Sequence, residues 1–256
     1  MKKLVSAAVL VLAVGALAAS PAGAITYGTP DTTNKYPYVG ALVGTFDGET
    51  YPYCSGTLIS PTVFLTAAHC EEGERVCVTF DAQYTSRSKL HCGTWYAHPG
   101  YYGGESNPLD VAVIVFDRPV KGITPAQVVD EGLLDAMKAD GTLTQSTAFT
   151  SVGYGAQETS PPHGGPGGSF TYLDRREYSV GYFNALGPGY LRISQNPNAG
   201  SAGTCYGDSG GPIFLGDTNV VVSLTVTGDV FCKSTNVTQR LDIPEVQDFL
   251  AQFIAL

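Results

Sequence analysis

The sequence predicts an all-β protein: a barrel or sandwich of short strands, closed by one C-terminal helix. Two observations carry this. Charged residues make up only 14% of the chain, beside 31 glycines and 15 tyrosines, a composition that suits a turn-rich protein with a packed core. Short runs rich in β-branched and aromatic residues also alternate with Gly, Pro and Asn turns. The 256 residues suffice for one large or two small domains.

Met1-Lys2-Lys3 is a cationic start, Leu4 to Ala19 is apolar, and Ala22-Gly23-Ala24 is a small-x-small cleavage site. Together they read as a secretory signal peptide over residues 1–24. The apolar run is short for a membrane span, which needs roughly 20 residues, and no stop-transfer charges follow it. The mature chain is expected to begin at Ile25 and to enter an oxidising, extracellular space. Without Lys2 and Lys3 it carries 12 basic against 23 acidic residues. That balance repels nucleic acid and anionic membrane, and both are rejected as partners.

Strands are expected at Tyr38–Val43, at Thr57–Ile59 and Val63–Thr66 around a Ser60-Pro61 turn, at Val76–Phe80 and at Val111–Phe116. Between Pro119 and Thr147 the texture changes. Val128, Leu133, Leu134 and Met137 fall near helical spacing, so a linker with a short helix is expected. A second β half opens at Phe149–Gly155. Residues 157–169, with His163, read as a flexible surface loop. Val220–Val226 reads as a buried strand. At the end, Pro244 suits a first helical turn, and Val246, Phe249, Leu250 and Phe253 share one face. No internal repeat is visible.

The six cysteines, Cys54, Cys70, Cys77, Cys92, Cys205 and Cys232, suit a secreted disulfide framework; sequence alone allows about 15 pairings. No Cys-x-x-Cys or His-x-x-x-His spacing occurs, so no zinc site is expected. Glu71, Glu72 and Glu74 read as a solvated turn and not as a calcium loop. No metal or cofactor is expected.

Chemistry concentrates at Gly207-Asp208-Ser209-Gly210-Gly211-Pro212. Taken alone, Gly-x-Ser is usually just a turn. A serine hydroxyl becomes a nucleophile only when a base takes its proton and donors stabilise the resulting oxyanion. Two upstream stretches can supply the rest. Leu65-Thr66-Ala67-Ala68-His69-Cys70 carries a histidine among small residues. Asp110 leads into Val-Ala-Val-Ile-Val-Phe, where a carboxylate needs a buried partner. Of the other histidines, His98 lies in a turn, His91 beside Cys92 and His163 in the loop.

These three motifs, in the order His, Asp, Ser, resemble the chymotrypsin/trypsin family of serine endopeptidases from about Ile25 to the C-terminus. The resemblance implies two six-stranded antiparallel β-barrels, residues 25–135 and 136–256, packed with the active site between them. It implies a triad of Ser209 as nucleophile, His69 as base and Asp110 as orienting carboxylate. It implies an oxyanion hole from the amides of Gly207 and Ser209, and disulfides Cys54–Cys70 and Cys205–Cys232, leaving Cys77 with Cys92. The α-amine of Ile25 is expected to pair with Asp208, exposed by the signal cut itself, although Ile-Thr-Tyr-Gly stands where the family has Ile-Val-Gly-Gly. Substrates are proteins or peptides, protein inhibitors are possible partners, and a monomer is expected.

The substrate pocket departs from trypsin. Gly203, at the family's floor position, and Thr204 carry no charge. Ser223-Leu224-Thr225 stands where Ser-Trp-Gly is usual, and Thr225 should narrow the pocket mouth. Asn236 is placed near the other wall, so its Asn-Val-Thr sequon is expected to carry no glycan. Ser223 is expected to bond Asp110. These residues favour small or medium uncharged P1 side chains; the competing idea is that Asp229 reaches in and favours Lys or Arg. Two other classes are weighed. Gly207–Gly211 also fits the nucleophile elbow of esterases, but those place a histidine after the serine, and none follows here. A non-catalytic binding module on the same fold usually loses a triad member, and this chain keeps all three.

Overall fold

The computed structural model describes residues 25–104, 108–158 and 170–256. The expected leader and most of the expected loop, including His163, lie outside the described residues. In chain order the elements are β1 Thr29–Pro30, β2 Val39–Phe46, β3 Glu49–Ser60, β4 Val63–Thr66, β5 Arg75–Thr79, β6 Leu90–Ala97, β7 Ala112–Phe116 and β8 Gln127–Val128. There follow α1 Leu133–Ala139, β9 Ala148–Gly153, β10 Gln157–Glu158, β11 Phe170–Thr171, β12 Glu177–Leu186 and β13 Tyr190–Ser194. The chain ends with β14 Pro212–Leu215, β15 Val220–Gly228, β16 Thr235–Arg240 and α2 Pro244–Leu250.

β2, β3, β4, β7, β6 and β5 close into one antiparallel barrel. β12, β13, β16, β15, β14 and β9 close into a second, because β9 pairs with both β14 and β12. Closure leaves neither barrel with a free edge. β1 and β8 are appended to the second barrel, on β12 and β15. The two-barrel architecture with a terminal helix is thus as expected. The first barrel is filled by Leu42, Leu58, Phe64 and Ile114, the second by Phe149, Leu191, Phe214 and Val222, all fully buried.

Buried polar groups join the halves. Arg176 is 1% exposed, which requires a partner for its charge. Its Nε meets Asp31 at 2.8 Å, and its Nη1 donates to the carbonyls of Val39 and Phe80 and to the Tyr154 hydroxyl. Helix α2 is pinned across the junction by His98, whose Nδ1 accepts from Gly100 N and whose Nε2 donates to the Glu245 carbonyl at 3.1 Å. The expected turn at His98 therefore also anchors the helix. Among the described residues no helix is long and apolar enough to cross a membrane.

Candidate active site

The pairing of β4 with β7 places two chain ends side by side, with Thr66 opposite Ala112. Immediately after β4, a single 3₁₀ turn, Ala68–Cys70, presents His69. Immediately before β7 stands Asp110, 2% exposed. Its Oδ2 lies 2.7 Å from His69 Nδ1, and its Oδ1 accepts the His69 amide at 2.9 Å. One carboxylate thus holds both the backbone and the ring of His69. The contact assigns the proton to Nδ1 and leaves Nε2 as the basic nitrogen facing out.

Ser209 comes from the other barrel, just before β14, and is tied across the junction. Its carbonyl accepts the Ser55 amide at 2.8 Å, and Ser55 Oγ donates to the Gly207 carbonyl at 2.9 Å. Ser55 follows Cys54, whose disulfide to Cys70 fixes the His69 turn. His69, Asp110 and Ser209 line one cleft of about 410 Å³. No hydrogen bond joins the imidazole to the Ser209 hydroxyl in this structure. Such bonds commonly tighten only when substrate is bound.

Gly207 has φ +95°, a conformation unfavourable to any residue with a Cβ. Among the described residues no acceptor meets the N–H of Gly207 or of Ser209, so two neighbouring amides remain available to a ligand oxygen. The three disulfides form as expected: Cys54–Cys70, Cys77–Cys92 and Cys205–Cys232. The closest grouping of metal-type ligands among the described residues is Cys54, His69 and Cys70, and its two sulfurs are consumed by a disulfide.

Three expectations need correction. First, Ile25 N lies 3.0 Å from Glu177 Oε2, not against Asp208. Both oxygens of Asp208 are taken by backbone amides: Oδ1 by Gly155 N and Oδ2 by Cys205 N, each at 2.8 Å. Second, Ser223 Oγ pairs with Thr238 Oγ1 at 2.8 Å and not with Asp110, because β16 places that hydroxyl beside it. Third, Gly203 does not line the cleft. A Cβ there would collide with the side chain of Gln195, which fills the space behind it. Gln195 is 2% exposed and is locked by two bonds to Thr204, from Nε2 to the carbonyl at 3.3 Å and from the threonine hydroxyl to Oε1 at 3.2 Å. Asp229, on which the competing idea rests, lines the cleft. Burial alone would raise its pKa, but the amides of Thr235, Lys233 and Ser234 turn toward its carboxylate and hold it below the usual range.

Thr204 and Thr225 line the cleft. Asn236 is 1% exposed and donates to Thr225 Oγ1 at 3.3 Å, so a glycan has no room there. Glu71, Glu72 and Glu74 are all exposed. Sequence reasoning missed Ser55, Gln195 and Glu177. Ser55 and Glu177 act through partners more than 100 residues away, and Gln195 through a loop contact with Gly203 and Thr204, so no local pattern announces them, except that Ser55 adjoins Cys54.

Comparison with known proteins agrees with this geometry. The family model described as Trypsin matches residues 25–246. A trypsin of Saccharopolyspora erythraea is 27% identical over 80% of this chain and 87% of its own length. A chymotrypsin of Phaedon cochleariae is 27% identical over 84% of this chain and 77% of its own. A trypsin-like protease of Streptomyces glaucescens is also 27% identical, over 84% and 78%. Among solved structures, HL collagenase superposes with a TM-score of 0.68 at 19% identity, covering 91% of this chain and all of that one.

Proposed function

This chain belongs to the trypsin family and is a serine endopeptidase, and on that premise we propose that it is secreted and cleaves peptide bonds through Ser209, His69 and Asp110. Ser209 Oγ attacks the scissile carbonyl while His69 Nε2 takes its proton. Asp110 keeps the ring in the Nδ1–H tautomer and stabilises the imidazolium that forms. The amides of Gly207 and Ser209 bind the oxyanion. The imidazolium then protonates the leaving amine, and water, activated by the same ring, hydrolyses the acyl-enzyme. The observation that carries this reading is the convergence of His69, Asp110 and Ser209 on one cleft, beside two amides that meet no acceptor among the described residues. Three disulfides and the leader-like start support export. The enzyme acts as a monomer, and protein inhibitors would occupy the same cleft.

Specificity is for small or medium uncharged P1 residues. Behind Thr204 the pocket is closed by the neutral amide of Gln195, and Asn236 holds the Thr225 hydroxyl on one wall. The Asp229 carboxylate is committed to its own loop. A cleavage profile on a diverse peptide library, with S209A as blank, tests this. Cuts after residues such as Ala, Val or Leu are expected; preferred cleavage after Arg or Lys would overturn the uncharged pocket.

A further inference from the structure

The second barrel carries a groove that shares no residue with the cleft of the triad. Side chains on β12 alternate with a period of two, so Tyr178, Val180, Tyr182 and Asn184 share one face. Tyr178 and Val180 line a hollow of about 530 Å³, and Tyr182 and Asn184 line a second of about 330 Å³. Ser201 lines both and joins them into one groove. Tyr27 stands at the first hollow, 63% exposed, on left-handed backbone at φ +61° that few residues other than glycine adopt.

Two polar groups at this groove have no use in the fold. Ser179 and Ser201 both line the first hollow, each is 4% exposed, and neither hydroxyl meets a hydrogen-bond partner among the described residues. A buried hydroxyl left unpaired costs free energy, and native proteins seldom keep one without a partner to come. A turn of χ1 to the next staggered well reorients such a hydroxyl without moving the backbone. Neither hollow is lined by an Asp, Glu, Lys, Arg or His. The nearby Lys35, 5.5 Å from the Tyr178 ring, is spent on Asp217 at 2.6 Å. The groove also offers no sheet edge: β9 pairs with one side of β12, and β1, the Ala202 amide and β13 take the other.

We propose that this groove binds an uncharged oligosaccharide. Tyrosine rings present apolar faces with a polar tip, which suits a ligand whose ring is apolar on its faces and hydroxylated at its rim. The Ser179 and Ser201 hydroxyls each donate and accept, as sugar hydroxyls do, and Asn184 adds an amide with both functions. An anionic glycan finds no cation in the lining and meets a protein with 23 acidic against 14 basic residues. An extended peptide would need a free strand edge, and β12 has none. The binding is separate from catalysis: it would hold the enzyme on a sugar-bearing target while the cleft works on peptide. The sugar can belong to a free polysaccharide or to a glycan carried by the protein being cut.

The test is isothermal titration calorimetry of the secreted protein with linear hexasaccharides of glucose, mannose and N-acetylglucosamine, beside a hexamer of galacturonic acid and an unglycosylated peptide. At least one neutral hexasaccharide should bind with a Kd below about 1 mM. Y27A and S201A should each weaken it about tenfold. S201A removes no hydrogen bond seen among the described residues, and Tyr27 is exposed, so both variants should melt as the wild type does. No binding of any neutral hexasaccharide, which would leave the hydroxyls to water alone, would overturn the proposal. So would full binding by the Y27A/S201A double variant, or displacement of the sugar by the acidic hexamer or the peptide. A second arm compares cleavage of a mannose-bearing glycoprotein with its deglycosylated form. Faster cutting of the glycosylated form by the wild type but not by Y27A places the sugar on the substrate; equal cutting, with hexasaccharide still bound, assigns a free polysaccharide, and either result upholds the site. Calorimetry needs no activity, so a failure of the endopeptidase reading leaves it untouched.

Discussion

Asp110 and Asp208 are both buried aspartates, one behind each half of the cleft, and their surroundings differ. Asp110 faces an imidazole at 2.7 Å and an amide at 2.9 Å from the same residue. Asp208 faces amides only, and its pKa is pushed up to about 7, by burial first, with the nearby Glu177 charge adding to the rise against the two amide bonds. The first barrel's half of the site is therefore electrostatically complete in the uncut chain. The second barrel's half answers its aspartate with two backbone amides.

The comparison can be broken at several strengths. The largest effects belong to the groups proposed to react. S209A should lower kcat by about 10⁶-fold, and H69A by a similar amount, in a peptide hydrolysis assay. D110N keeps the shape but lets the ring take the wrong tautomer, and should cost about 10⁴-fold, the size usual for triads of this kind. If D110N were nearly silent, the contrast between the two aspartates would lose its first half.

Next comes G155A. Its Cβ would lie within 2.7 Å of the Asp208 backbone nitrogen, so the loop before Ser209 must shift. A displacement of that order should reduce kcat/KM by about 100-fold while leaving the His69–Asp110 contact intact. Equal loss of the His69 hydrogen bond, read by proton NMR of the Nδ1–H, would show that the two halves are not separable. Q195A should act more gently, opening space behind Gly203. Larger apolar P1 residues should gain roughly tenfold in kcat/KM relative to alanine.

The smallest effect is on stability. In the uncut chain the Asp208 carboxyl holds its proton up to about pH 7, whereas the unfolded chain releases it near the ordinary value of 3.8. Between those values the folded state binds more protons, so stability should fall as pH rises, by at most about 1.4 kcal/mol per pH unit from this group. Above pH 7 the slope should vanish. Urea unfolding across pH 4 to 8 checks the sign; stability rising with pH over that range would contradict the assignment.

The same contrast explains what the sequence could disclose. His69, Asp110 and Ser209 were legible because each sits in a run of consecutive residues whose types are all constrained: small residues and cysteine around His69, a buried strand after Asp110, glycines around Ser209. The barrels were legible as short strands, and their pairing followed from resemblance. Glu177 was not legible. In Asp174-Arg175-Arg176-Glu177 it looks like part of a solvated charge run, yet the pairing of β12 with both β1 and β9 buries Arg176 and Glu177. Gln195 was hidden for a similar reason. It follows β13, and only the folded loop before Cys205 brings Gly203 and Thr204 against it. Pocket chemistry depends on such distant registers, which is why the expected Gly203 floor and Ser223–Asp110 bond were replaced.

The central claim, that Ser209 is a nucleophile activated by His69, is tested most directly by organophosphate labelling followed by peptide mass spectrometry. One adduct per folded chain is expected, located on Ser209, absent in S209A and formed at a strongly reduced rate in H69A. A folded protein that takes no adduct on Ser209, or reacts equally fast without His69, would contradict it.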